Sequence, residues 1–370
     1  MANKKPSSAC ELYLGLYMAE LFLDGSKLIH HLPVVEKWKK GEKFFPIHAE
    51  ISPTSGCNQR CNLCYVDYLG HKAGFLEESI MNSLADEFGK LGVKSVLLAG
   101  EGEPTANKGI VSMIQRAHRN GVDMAINSNA VLMTKEMSEA IMPQLTWARF
   151  TFQASNPALY QEIHKGHRTD YERATKNVQE AVRVKKDKKL NVTLGTQQIL
   201  INENYRDVYE TAKLSKELGV DYYVVKRFSK HPNNHYDVPE DLYLQSMDEL
   251  KRAETLSDDK FKVIVRWNNF SDNDCTRGYK KCLGTPFITQ ILADGKIYPC
   301  SQFFKDPQFC YGDLHTQSFE EIFTGDRIQQ VTKKIEEEIN VKNCISYCRH
   351  HSTNQFLWKI HEQPAHVNFI

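Results

Sequence analysis

Three cysteines in the stretch "SGCNQRCNLCYVD" could do redox or metal chemistry, and their spacing is unusual. Cys57, Cys61 and Cys64 stand in the pattern C-x3-C-x2-C with no fourth cysteine nearby. A structural zinc site takes four protein ligands and a cubane iron–sulfur cluster has four irons, so three thiolates leave one coordination position open. His48 and His71 are poor candidates for a fourth zinc ligand: one is upstream on an apolar stretch, the other a loop residue. Neighbouring Ser55, Gly56 and Asn58 allow backbone amides to approach the sulfurs.

A second cysteine set follows after about two hundred residues containing none: "CTRGYKKCLGTPFITQILADGKIYPC", then "CYGDL" and "NCISYC". Cys282, Cys300, Cys344 and Cys348 form the simplest four-ligand group, for either an iron–sulfur cluster or a structural zinc. Cys275, close upstream, could replace one of them. Cys310 reads as a small buried hydrophobe, and Cys10 is too remote in sequence to interpret.

The rest of the chain must position these groups. Its 370 residues are 41% hydrophobic and 25% charged, ordinary for a globular protein of one large and one smaller domain. With 47 basic and 46 acidic residues, no global charge excess draws it to nucleic acid or an anionic membrane. No apolar run reaches the ~18 residues of a membrane span. The N-terminal stretch is interrupted by Glu11, Glu20 and Asp24, unlike a signal peptide, so the expected location is cytoplasmic. Clustered cysteines in a long chain of this kind point to metal in a reducing compartment rather than to disulfides.

From residue 46 onward, short apolar runs alternate with helical patterns. Strands are predicted at 46–52, 93–100, 122–129, 147–155, 190–200 and 221–229, with helices near 76–92, 108–120, 134–143, 171–189 and 204–218. Runs such as "SVLLA" and "YYVV" suit parallel strands buried on both faces. The fold class is therefore α/β: a partial (β/α)6 TIM-like barrel whose working face lies at the strand C-termini, with a small cysteine-rich C-terminal α+β domain. The expected boundaries are 1–45 for an N-terminal helical extension and 46–230 for the barrel. Residues 231–270 read as linker and helix, with a strand at 262–267, and 271–370 as the cysteine-rich domain. That last region carries a hairpin turning at Asp294-Gly295 and short helices near 318–338 and 350–361.

The C-x3-C-x2-C signature resembles that of the radical S-adenosylmethionine (radical SAM) enzymes. The resemblance implies that three thiolates hold a [4Fe–4S] cluster and that S-adenosylmethionine fills the open position, to be cleaved to a 5′-deoxyadenosyl radical that abstracts hydrogen. "GEGEPT" is similar to the family's Gly-Gly-Glu-Pro motif through Gly102, Glu103 and Pro104, with Glu101 replacing the first glycine. "NSNA" (Ser128, Asn129) and "FTFQAS" (Thr151, Gln153) fall where the family contacts its cofactor. The C-terminal set resembles a twitch or SPASM extension; only the final C-x3-C of a full SPASM run is visible, which implies one auxiliary [4Fe–4S] cluster. His164, Lys226, Arg227 and His231 would line the barrel mouth.

The overall look is similar to members acting on sugars, cyclitols or nucleotide-linked saccharides. The leading expectation is abstraction of a carbinol hydrogen from such a small polar substrate, giving dehydrogenation or epimerisation, with Cys275 or Cys310 as hydrogen donor in the latter case. The main rival is a maturase acting on a ribosomally made peptide, although the some 45 residues before the first strand are short for the winged-helix domain that such enzymes often carry. A non-catalytic metal-binding scaffold is the further alternative. A flavodoxin- or ferredoxin-type donor would supply the electron.

Overall fold

The computed structural model describes residues 26–267, 277–345 and 347–369. Ten strands form one sheet in the order β10-β9-β8-β1-β2-β3-β4-β5-β6-β7. They are β1 (His48–Ile51), β2 (Ser95–Leu98), β3 (Asp123–Ser128), β4 (Leu145–Thr151), β5 (Thr193–Leu200), β6 (Tyr222–Arg227), β7 (Lys262–Val265), β8 (Ile288–Ile291), β9 (Lys296–Tyr298) and β10 (Gly312–Asp313). The six strands expected from the sequence are consecutive neighbours, all parallel. The sheet is the partial barrel with an α+β C-terminal addition.

Helices alternate with these strands: α1 (Leu32–Lys40), α2 (Glu78–Leu91), α3 (Ile110–Arg119), α4 (Lys135–Ile141), α5 (Pro157–His164), α6 (Asp170–Asp187), α7 (Val208–Leu218), α8 (Glu240–Gln245), α9 (Met247–Glu254), α10 (Phe319–Thr324), α11 (Asp326–Glu338) and α12 (His351–His361). Local chemistry sets their ends. Thr134 caps α4 by accepting the Met137 amide, and Ser318 and Glu321 form a reciprocal capping box on α10. Left-handed glycines, Gly92 and Gly219, close α2 and α7. Helix α5 is not among the helices expected from the sequence. Asn156 caps it through the Leu159 amide and Pro157 sits at its first position, a start signal compressed into two residues.

Two further strands extend the parallel array. β7, inside the stretch read as linker, pairs in parallel with β6, and β8 pairs in parallel with β1. The C-terminal hairpin is thus an edge of the barrel sheet, and β9 returns antiparallel after Asp294-Gly295, with Gly295 at φ +74°. One core joins the outer faces of the strands to the helices, including Ile51, Leu98, Ile126, Phe150 and Val225. A smaller cluster of Leu28, Val35, Ile47, Leu283, Phe287 and Leu357 seats α1 and α12 on the base of the hairpin. Among the described residues no helix is long and apolar enough to cross a membrane.

Candidate functional site

The loop after β1 carries Cys57, Cys61 and Cys64, all free and half-buried. It is docked on the end of α5, where the Arg60 amide donates to His164 O (3.0 Å) and the Asn62 amide to Ile163 O (2.9 Å). These are terminal carbonyls with no partner within the helix, so the loop completes the helix end while the helix fixes the loop. The Gln59 amide approaches Cys57 Sγ at 3.5 Å. Burial pushes the Cys57 thiol up to about 11, with Glu103 and Cys64 adding to the rise. Cys61 is raised further by burial and by the charges of Cys64 and Cys57. Three thiolates here call for a cationic centre, which is what a cluster's irons provide.

Glu103 ties two strand ends to that loop. Its backbone amide donates to Gly56 O (3.0 Å). Its buried carboxylate accepts from the Thr105 amide (3.1 Å) and hydroxyl (2.5 Å), the Ser128 hydroxyl (2.6 Å) and the Asn129 amide (2.7 Å). Burial raises its pKa and these four donors counter the rise. Asn129 then reaches Asn58 Oδ1 at 2.9 Å. Gly102 is needed for the close approach: a Cβ there would lie 2.1 Å from Gly56 O. Pro104 is buried and opens a short 3-10 turn, Pro104–Ala106. Glu101, the departure from the family motif, accepts from the Ala293 amide (2.9 Å) and so clamps the β2 end to the C-terminal hairpin.

Several expected contacts are placed differently. Gln153 is buried and its Oε1 accepts from the Ile199 amide (2.8 Å), so that oxygen serves β5 rather than a ribose hydroxyl. His164 is not at the mouth: it is 1% exposed, behind the cysteine loop, with Nδ1 3.3 Å from Cys61 Sγ. Arg227 lies on the outer side of β6, held by Glu240 at 2.6 Å and stacked over Tyr243 at 3.8 Å. His231 is buried, with its ring stacked on Tyr68 at 4.2 Å, and helps seat the loop. Each follows a strand end, but packing of the cysteine loop claims His164 and His231, and the contact with Glu240 and Tyr243 claims Arg227. Lys226 and Thr151 do face inward, on the side of the pleat opposite buried Val225 and Phe150. The same face carries Arg149, which donates to Tyr222 Oη at 3.1 Å. Burial, then Arg149, Arg266 and Arg349, lower the Lys226 pKa to about 7. Glu50, across the bore, is paired with Arg349.

Cys282, Cys300, Cys344 and Cys348 come together: each thiol's titration feels others of the four. Cys348 donates to Cys344 and lowers it, with Arg277 reinforcing the effect. The Arg277 guanidinium braces that segment through Val341 O (2.6 Å), Ile345 O (2.6 Å) and Cys344 O (3.3 Å). Asn354 donates to Cys282 Sγ at 3.4 Å and accepts the Leu283 and Gly284 amides. Arg277 and Asn354 were missed from sequence; neither sits in a motif, and only the fold brings Asn354 to Cys282. Cys310 stands apart, its thiol donating to Gly312 O at 3.4 Å. Cys275 and Cys10 lie outside the described residues. The two cysteine sets are neighbours, since Tyr65, next to Cys64, meets the hydroxyl of Ser301, next to Cys300, at 3.0 Å. Among the described residues no three His, Cys, Asp or Glu side chains close on a single-ion cage; the fit to clusters rests on the two sets of free, mutually close thiols.

Residues 51–215 match the radical SAM superfamily, and residues 282–350 match the iron–sulfur cluster-binding domain called SPASM. The chain carries a radical SAM domain followed by a SPASM domain. Its cofactors are accordingly S-adenosylmethionine, the [4Fe–4S] cluster that binds it, and auxiliary iron–sulfur. The chain is 21% identical over 290 residues to the tungsten-containing aldehyde ferredoxin oxidoreductase cofactor-modifying protein of Pyrococcus furiosus, covering 74% of this chain and 80% of that one. It is 20% identical over 297 residues to AlbA, the antilisterial bacteriocin subtilosin biosynthesis protein of Bacillus subtilis, spanning 77% of this chain and 61% of AlbA. Among solved structures, Streptococcus suis SuiB bound to precursor peptide SuiA superposes with a TM-score of 0.63 at 16% identity, over 86% of this chain and 75% of SuiB. The anSMEcpe structure with bound S-adenosylmethionine has a TM-score of 0.57 at 15% identity, over 78% and 83% of the respective chains. At these identities the structural likeness is one of fold.

Proposed function

We propose that this radical SAM enzyme is a maturase that modifies a ribosomally made peptide. The observation that carries the reading is the fold shared along most of the chain with a protein captured with its precursor peptide. The relationship to a bacteriocin biosynthesis protein supports it. The carbinol reading, with a sugar-like substrate and dehydrogenation or epimerisation as outcome, has no comparable support and takes second place.

In this reading Cys57, Cys61 and Cys64 hold the cofactor-binding cluster, and Cys282, Cys300, Cys344 and Cys348 the auxiliary one. When bound, cluster and S-adenosylmethionine supply an electron and a hydrogen-abstracting carbon centre. The chain's own residues do the rest. Glu103 locks the ends of β2 and β3 against the cysteine loop, which fixes the geometry of hydrogen abstraction. Tyr65, Tyr68 and His231 pack over the loop and keep water from it. Arg149 and Lys226 line a bore whose carboxylate, Glu50, is already engaged, and this favours a peptide segment bearing an acidic side chain.

The test is anaerobic co-expression with candidate precursor peptides, read by mass spectrometry of the peptide and by 5′-deoxyadenosine release. A peptide mass change dependent on Cys57, Cys61 and Cys64 is expected. Nucleoside release stimulated by aminocyclitols or nucleotide-sugars, with every peptide left unchanged, would overturn the proposal in favour of the carbinol reading.

A further inference from the structure

His164 is a buried imidazole that the proposed chemistry does not use directly. Its Nδ1 stands 3.0 Å from Gln59 Oε1 and 3.3 Å from Cys61 Sγ. Its Nε2 is buried with no hydrogen-bond partner. The neighbours decide which nitrogen carries the proton. Gln59 Nε2 is 3.1 Å from Tyr160 Oη and 3.4 Å from Asp170 Oδ2. Asp170 Oδ2 also accepts the His167 amide at 3.0 Å. A carboxylate accepts and does not donate, so the Gln59 amide nitrogen must face Asp170. Its carbonyl oxygen then faces His164, and Nδ1 must be the protonated nitrogen. That hydrogen is shared between Gln59 Oε1 and the Cys61 sulfur. The ring cannot swing away, because Tyr160 stacks on it at 4.0 Å with 20° between planes.

We propose that His164 is a positioning residue that hydrogen-bonds the Cys61 thiolate and raises the reduction potential of the cluster bound there. The inference rests on the assignment of Cys57, Cys61 and Cys64 as ligands. A hydrogen bond to a ligand sulfur withdraws charge from the cluster and favours its reduced, more negative state. Gln59 competes for the same hydrogen, so the Asp170–Gln59–His164 chain sets how much of it the sulfur receives.

The test is an EPR-monitored redox titration of the full-length anaerobic protein, following the signal that a Cys57→Ala, Cys61→Ala, Cys64→Ala variant lacks, with iron assayed per chain. His164→Phe keeps a ring against Tyr160 but loses the donor. Its midpoint should fall, by about tenfold in the reduction equilibrium or ~59 mV for one electron. His164→Asn, whose amide nitrogen can take the Nδ1 position, should return the midpoint toward that of the parent. Gln59→Leu removes the competing acceptor and should shift it the opposite way, upward. A fully loaded His164→Phe protein with an unchanged midpoint overturns the proposal. If that variant loads no iron, Gln59→Leu decides: a rise supports the proposal, while no change or a fall contradicts it. A triple cysteine variant that keeps the signal would instead refute the ligand assignment itself.

Discussion

Glu103 concentrates the local energetics of the site: one buried carboxylate takes four hydrogen bonds from two strand ends. Replacing it with glutamine keeps the shape but turns one acceptor oxygen into a donor that faces other donors. Glu103→Gln should cost ~2 kcal/mol of apo-protein stability, since hydrogen bonds to a charged group are worth more than neutral ones and a mismatched buried donor is penalised. Urea unfolding followed by circular dichroism measures this; a loss within ±0.5 kcal/mol would contradict it. At this scale the sequence was legible where chemistry imposes spacing. Seven cysteines and Glu103 could be picked out because ligand sets and strand-end motifs recur at fixed offsets. His164, Arg227 and His231 were misplaced because following a strand does not reveal which way a side chain turns. Arg277, which braces the Cys344 carbonyl, and Asn354, which reaches the Cys282 sulfur from α12, are brought there by tertiary packing that no spacing in the sequence announces.

The cysteine loop works as an element because two others hold it, the end of α5 and the turn after β2. Gly102 sets the second contact, where its missing side chain lets the turn lie against Gly56 and Thr54. Gly102→Ala should part these loops while leaving the sheet intact. The expected outcome is lower iron loading at the first site with an unchanged far-UV spectrum, measured by iron assay beside circular dichroism. Wild-type loading would mean that the close approach is dispensable. The alternation of apolar strands and amphipathic helices was readable because both periods are strong in this chain. Helix α5 was not, since its short span after Asn156-Pro157 carries little periodic signal. Nor was the pairing of β8 with β1, which joins residues some 240 apart and is set by tertiary packing.

For the molecule as a whole, that pairing matters most: it makes the cysteine-rich segment part of the barrel sheet and sets the two thiol groups side by side. Lys226 and Arg149 share the inward face of that sheet. Lys226, its pKa lowered to about 7 by burial and by nearby arginines, is charged in the unfolded chain up to its ordinary range. From about pH 7 upward the unfolded state therefore binds the extra proton, and stability rises with pH across that window. Below it the folded protein carries a charge its surroundings disfavour. Lys226→Met should therefore stabilise the apo protein most below about pH 7, with the gain shrinking toward pH 10. Unfolding midpoints at several pH values check this, and a gain independent of pH would contradict it. The same substitution should weaken response to acidic peptides if the bore receives them.

We assign Cys57, Cys61 and Cys64 as the thiols that hold the cluster that turns over S-adenosylmethionine. The most direct measurement is 5′-deoxyadenosine formed by anaerobically reconstituted protein given a strong one-electron reductant and S-adenosylmethionine. Intact protein should form the nucleoside, and the Cys57→Ala, Cys61→Ala, Cys64→Ala variant should form none while keeping the iron of its C-terminal site. Equal nucleoside from both proteins, or none from intact protein shown to hold reducible clusters, would contradict it.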